Sequence, residues 1–180
     1  MIVCVGIDPG LEGAIAVLAG PMVRVWDVPT LEVVVSKRRS RATGKIATKK
    51  RQRYNLVEMA RIVKRIRAYA QTNDCHVVTW IEDVHAMPEQ GVASMFSMGR
   101  GLGSWEGIVA ACGLSLEHVA PRTWKHKMMS GMGKEKEASV YKAQELWPQA
   151  ELVTPRGRRL HGRADALLIA EYGRRTADPF

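Results

Sequence analysis

The sequence predicts an α/β domain built on a mixed five-stranded sheet flanked by helices, and three observations lead to that class. Short β-branched runs separated by turn residues open the chain, as in an antiparallel meander. Beyond a basic stretch the apolar period changes to that of a helix, and strands and helices then alternate, as parallel strands joined by crossovers require. The chain has 180 residues, 46% hydrophobic and 25% charged, which is ordinary for one globular domain, so residues 1–180 are expected to form a single unit.

Residues 2–7 alternate weakly, are rich in Ile and Val, and end in the turn tripeptide Asp8-Pro9-Gly10. Residues 13–18 and 22–28 read as two further strands, with Ala19-Gly20-Pro21 as their hairpin connection. Leu56, Met59, Ala60, Val63, Ile66 and Ala70 recur at helical spacing, with Asn55 in position to cap that helix. Residues 77–81 form the fourth strand, followed by Glu82 and Asp83. The run 91–112 is helical in composition but holds Gly99, Gly101, Gly103 and Gly107. Each interior glycine costs roughly 0.5–1 kcal/mol, so close packing or a broken helix is expected there. Residues 116–120 are a fifth strand, with Pro121 at a first helical position. A helix follows Gly133 and Lys134 and runs to Trp147, closed by Pro148. A last helix covers about 162–174.

Charge carries the first functional signal. The formal net charge is +9, from 27 Lys and Arg against 18 Asp and Glu. Residues 36–53 hold Lys37, Arg38, Arg39, Arg41, Lys45, Lys49, Lys50, Arg51 and Arg53, with no acid among them. Without those nine, basic and acidic residues balance. A basic loop at 36–53 that carries the whole surplus is the footprint expected for a polyanion, above all a nucleic acid. It lacks the Leu and Phe that a membrane-surface helix would bury. No apolar run approaches the length of a membrane span, and no secretory or transit segment is visible. The three cysteines (Cys4, Cys75 and Cys112) fit no zinc spacing and are expected as buried thiols of a soluble protein in a reducing compartment.

Four ionisable residues stand where a site would form. Asp8 ends the first strand, Glu82 ends the fourth, and Asp165 lies on the last helix with His161 one turn before it on the same face. If the first and fourth strands are parallel neighbours, their C-terminal ends bring Asp8 and Glu82 together, where ligands of such sheets gather. Clustered carboxylates repel unless a cation lies between them, and hard oxygen donors suit Mg²⁺, with Mn²⁺ able to substitute. Such a cluster beside a phosphate-binding strip points to two-metal phosphodiester hydrolysis.

The segments Gly6-Ile7-Asp8-Pro9-Gly10, Gly13-Ala14-Ile15-Ala16, Ile81-Glu82-Asp83-Val84 and His161-Gly162-Arg163-Ala164-Asp165-Ala166-Leu167-Leu168-Ile169-Ala170 resemble RuvC-type Holliday junction resolvases of the RNase H-like superfamily. The resemblance runs in order over nearly the whole chain, and the His-Gly-Arg-Ala-Asp form is most similar to plant plastid and phage-borne members. It implies an RNase H-like fold, with Asp8, Glu82 and Asp165 as ligands of two divalent ions. It also implies His161 as their partnering imidazole and Lys125 as a catalytic lysine near the scissile phosphate. Gly162 stands where the main bacterial branch has an acid or His, and Gly10 where some plastid members carry a further acid.

The same resemblance implies a homodimer, joined through the helix at 91–112, that makes paired nicks in four-way DNA junctions. Lys134 and Lys136 are then expected close to DNA, and His85, in the loop after Glu82, to reach a base. Three rivals are an actin-like kinase, an RNA-directed nuclease of the same superfamily and a non-enzymatic junction-binding protein. A kinase of that fold needs two such domains. A pure binder gains only repulsion from carboxylates beside phosphate.

Overall fold

The computed structural model describes residues 1–39, 44, 46–85, 91–133, 135 and 137–177, with the backbone alone at 38 and 39. Its main sheet is the expected mixed one. Strands β1 (Ile2–Ile7), β2 (Ala14–Ala19) and β3 (Met22–Asp27) form an antiparallel meander. After two further strands and a helix come β6 (His76–Glu82), parallel to β1, and β7 (Ser115–Val119), parallel to β6. The spatial order is β3-β2-β1-β6-β7.

Alternation along the inner strands splits the core into two layers. Val3, Val5, Ile7, Ile15 and Val17 face one side and pack on helices α1 (Leu56–Thr72) and α2 (Val92–Ala111). Cys4, Ala14, Ala16 and Leu18 face the other. There they meet α3 (Pro121–Met128), α4 (Ala138–Leu146) and α5 (His161–Ala177). With both faces covered, β1 and β2 read as continuous apolar runs.

Helix α5 is the central support of the second layer. Ala164 and the run Ala166, Leu167, Leu168, Ile169 and Ala170 are fully buried. The helix lies so close to β1 that a side chain at Gly6 would run into the backbone of Ala166 and Ala170. At its far end buried Glu171 binds Arg174 and Arg175 at 2.7 and 2.8 Å.

Several expectations need correction. Residues 36–39 and 46–53 of the expected basic loop are strand rather than loop. They lie on a two-stranded antiparallel ribbon made of β4 (Thr30–Arg39) and β5 (Ile46–Tyr54), with a register shift between Val34 and Ser36. Every β5 residue except Tyr54 is exposed, so the strand has no apolar face and shows no period-2 signal. Its order comes from pairing with β4. Arg41 and Lys45 lie outside the described residues.

Helix α2 is continuous: Gly101 faces inward against Tyr54 and Pro9, while Gly99, Gly103 and Gly107 stand on the exposed face. Asn55 caps α1 as expected, accepting from the Glu58 N–H at 3.3 Å, but Leu56 is exposed and Ile62 takes its place in the core. The three cysteines form no disulfide; Cys4 and Cys112 are buried, but Cys75 is only half-buried. No described helix is long and apolar enough to cross a membrane.

Candidate active site

The pairing of Ile7 with Ile81 in the parallel ladder sets Asp8 and Glu82 side by side at one edge of the sheet. The turn after β1 is closed by its own backbone. The Asp8 N–H reaches the Ala14 carbonyl at 3.0 Å, and the Gly10 N–H donates to Asp8 Oδ1 at 3.1 Å. Asp165 arrives from α5, whose first turn presses on the same loop. A side chain at Gly162 would collide with the Glu12 carbonyl and the Gly13 Cα. That close approach sets His161 and Asp165 over the Asp8 turn.

Burial dominates the electrostatics of the three acids. It raises Asp8 from 3.8 to about 7, opposed by the Gly10 N–H and by Lys125 and reinforced by the charges of Glu82 and Asp165. Glu82 is also raised, chiefly by burial, although Trp124 Nε1–H donates to its Oε1 at 3.0 Å. Asp165 is raised for the same reason, against a hydrogen bond from Ser139 and the nearby charges of Lys125 and His161. Asp8 thus feels the charges of both other acids, and Glu82 that of Asp165. Asp165 Oδ1 is a buried acceptor without a hydrogen-bond partner among the described residues.

Oxygen donors that are desolvated, mutually repelling and incompletely satisfied have the chemistry of a site for a hard divalent cation. The structure stops short of a finished metal nest: among the described residues no three His, Cys, Asp or Glu side chains converge tightly enough to hold an ion. Two cavities meet at His161 and Asp165. One is lined by Asp8, Asp27, Arg158 and Arg159, the other by Lys125, Met129, Met132 and Ser139.

The expected site residues therefore fall into two groups. Asp8, Glu82, Asp165, His161 and Lys125 come together; Lys125 is exposed, with its ammonium 5.1 Å from the centre of the Trp124 ring. Lys37, Lys49, Lys50, Arg51 and Arg53 stand exposed on the ribbon, with Arg38 and Arg39 on β4. Lys50 is paired with Glu32 at 2.7 Å. His85 lies beyond β6, exposed and 3.3 Å from Asp83. Lys134 and Lys136 lie outside the described residues.

Sequence reasoning passed over Trp124, Ser139, Tyr54, Arg158 and Arg159. Trp124 and Ser139 are buried supports of the acids, and nothing in their local pattern separates them from core. Tyr54 is buried at the foot of the ribbon, its hydroxyl 3.2 Å from the carbonyls of Pro9 and Ser97. The Arg158-Arg159 pair could have been found by its place just before His161.

No protein-family model matches the chain. The chloroplastic Holliday junction resolvase MOC1 of Chlamydomonas reinhardtii is 29% identical over 154 residues. That match covers 82% of this chain but only 17% of the relative's length. Among solved structures, T. thermophilus RuvC in complex with a Holliday junction substrate is similar with a TM-score of 0.54 at 16% identity, over 98% of this chain and 95% of that one. A second Thermus thermophilus RuvC structure gives a TM-score of 0.50 at 18% identity, over 97% and 96%. The chain thus has the RNase H-like fold of RuvC, as its motifs led one to expect.

Proposed function

We propose that this chain is a Holliday junction resolvase, a hydrolase that makes paired nicks in four-way DNA junctions. The observation that carries the reading is the meeting of Asp8, Glu82 and Asp165, from three distant parts of a RuvC-like fold, in one desolvated cluster. A resolvase relative that matches most of the chain supports the same substrate class.

In this reading Asp8, Glu82 and Asp165 would hold two Mg²⁺ ions, for which Mn²⁺ would substitute, with His161 as the imidazole that partners them. When bound, such ions supply an acidified water and neutralise charge on the attacked phosphodiester. The chain's own groups do the rest. Trp124 and Ser139 fix the orientation of Glu82 and Asp165. Lys125 offsets charge that develops on the phosphoryl oxygens. His161, one helical turn from Asp165, orients that carboxylate and moves a proton to or from the reacting oxygens. The basic ribbon follows the phosphate backbone of a junction arm.

A four-way junction has two strands to cut, which calls for two sites. Helix α2 offers the surface for a homodimer: Gly99, Gly103 and Gly107 form an exposed stripe at one-turn spacing, and Val92 and Phe96 are exposed in the first turns of the helix.

The test is incubation with a labelled synthetic four-way junction, with and without Mg²⁺, beside matched duplex, fork and RNA substrates. Symmetric nicks that need Mg²⁺ and the junction are expected. Asp8→Asn should abolish cutting and leave binding intact. Binding with no Mg²⁺-dependent product would return the chain to a junction-binding role, and preference for RNA would make it a different nuclease.

A further inference from the structure

A second cluster of cations lies at the mouth of the carboxylate cleft and belongs to none of the roles above. Residues 152–160 fold into a small hairpin that ends directly against α5. The Thr154 N–H bonds the Arg158 carbonyl at 2.9 Å, and the Gly157 N–H bonds the Thr154 carbonyl at 2.8 Å. The Arg158 N–H bonds Thr154 Oγ1 at 3.0 Å. An isolated bridge joins Val153 to Arg159, and the Leu160 N–H reaches the carbonyl of buried Leu152 at 2.9 Å. Gly157 takes the left-handed conformation at φ 80°, which closes the turn. This is a built loop with its own hydrogen bonds, held by an apolar anchor.

The hairpin presents Arg156, Arg158 and Arg159. Its neighbour Arg163 shows what a structural arginine looks like here: it grips both carboxylate oxygens of Asp27 at 2.6 and 2.9 Å and the Glu151 carbonyl at 3.1 Å. Among the described residues the three hairpin arginines make no close ion pair, although Arg158 lies near enough to Asp27 to help hold its carboxylate low. Arg159 is steadied over the Tyr141 ring, 4.5 Å from its centre, which leaves its guanidinium edge free to donate. Arg158 and Arg159 line the same cavity as Asp8, His161 and Asp165, with only Leu160 between Arg159 and His161. Lys125 lines the other cavity that meets this one at His161 and Asp165.

We infer that Arg158 and Arg159 form a second phosphodiester-binding site, which holds a backbone phosphate of the cut DNA strand next to the one that reacts. The inference rests on the nuclease reading above and adds to it a direction: the strand crosses the acids from Lys125 to the hairpin. Without metal, the three carboxylates repel a polyanion that crosses them. Cations at both ends of the cleft hold it there. Guanidinium forks match phosphate oxygens in pairs, and a hairpin ordered in advance loses little freedom on binding.

The test measures binding of a labelled four-way junction in EDTA, so that cutting does not enter, over a range of salt concentrations. Each lost phosphate contact makes the slope of log K against log salt shallower by about 0.9. The Arg158→Ala/Arg159→Ala protein should show a slope shallower by about 2 than the parent chain and bind about 10-fold more weakly at moderate salt. Arg158→Lys/Arg159→Lys should recover most of the slope, which a merely structural role would not produce. Arg158→Ala alone, at an exposed turn position, should remove about 1 and keeps the test open if the double variant fails to fold. An unchanged slope in folded variants overturns the site, as does a parent chain that binds no DNA. Because cutting plays no part, loss of the nuclease reading through absent Mg²⁺-dependent product is read separately.

Discussion

Trp124 donates its indole N–H to Glu82 Oε1 across 3.0 Å, tying α3 to the last residue of β6. Trp124 is fully buried, so the bond is shielded from water. A hydrogen bond to a charged acceptor contributes about 1.5–3 kcal/mol, and without it Glu82, already raised by burial, holds its proton to still higher pH. Trp124→Phe keeps most of the ring and removes the donor. Single-turnover cutting of a junction at neutral pH should fall about 10-fold or more, recovering in part as pH rises, with binding in EDTA unchanged. A rate equal to that of the parent chain would remove Trp124 from the site.

The buried acids also make stability depend on pH, and the sign follows from the direction of their shifts. Asp8 is raised to about 7, so the stability linked to its protonation is fully present below 3.8 and is lost as pH rises through 7. Glu82 and Asp165, also raised, act in the same direction. Glu171 is lowered: burial alone would raise it, but Arg174 and Arg175 outweigh that effect. Its contribution is present above 4.5 and lost only as pH falls through its lowered value, so it is constant from pH 6 to 8.5. In EDTA, Asp8→Asn should therefore melt above the parent chain at pH 8.5, by about 3–8 °C, and the gap should narrow toward pH 6. Mg²⁺ at pH 8.5 should raise the melting temperature of the parent chain more than that of Asp8→Asn. Thermal melts across this range decide both points.

These acids were legible in the sequence because each is tied to a regular element: a β-branched run before Asp8, another that Glu82 ends, and the Ala-Asp-Ala-Leu-Leu helix that holds Asp165. The parallel pairing that joins the first two follows from the order of strands and helices. The ribbon was not legible as structure. Seven of its basic residues stand on the paired strands, and every β5 residue but Tyr54 is exposed, so the strand character of β5 rests on a partner strand rather than on a local pattern. Tyr54 is the exception, since an aromatic that ends a basic run marks the place where the ribbon meets the core. The supports Trp124 and Ser139 were hidden for another reason: a buried residue that serves a carboxylate and one that serves only packing share the same local sequence.

The ribbon leads to an ordered prediction. Lys49, Arg51 and Arg53 alternate along β5 and share a face, whereas Lys50 points the other way and is held by Glu32 at 2.7 Å. A DNA arm laid on the first face releases counterions from three phosphates. Lys49→Ala/Arg51→Ala/Arg53→Ala should make the salt slope of junction binding shallower by about 2–3, and Lys50→Ala by clearly less than 1. Fluorescence anisotropy at several salt concentrations gives both values. Equal effects per residue on the two faces would show that DNA does not lie on one side of the ribbon.

Gly162 sets the last relation, between α5 and the Asp8 turn. A methyl group there meets backbone atoms of Glu12 and Gly13 rather than the end of a side chain, so neither neighbour can swing aside. Either the first turn of α5 lifts, or the loop that carries Asp8 moves. Overpacking of this kind costs about 1–3 kcal/mol, a fall of about 3–10 °C in melting temperature for a chain of this size. The larger effect should be on chemistry, because His161 flanks Gly162 and Asp165 lies one turn beyond it. A displacement of about 1 Å there costs on the order of 100-fold in rate. Gly162→Ala should therefore remain folded at 25 °C and bind a junction in EDTA with the affinity of the parent chain, while its single-turnover cutting falls about 100-fold. Cutting at the parent rate would show that the acids need no such tight seating of α5.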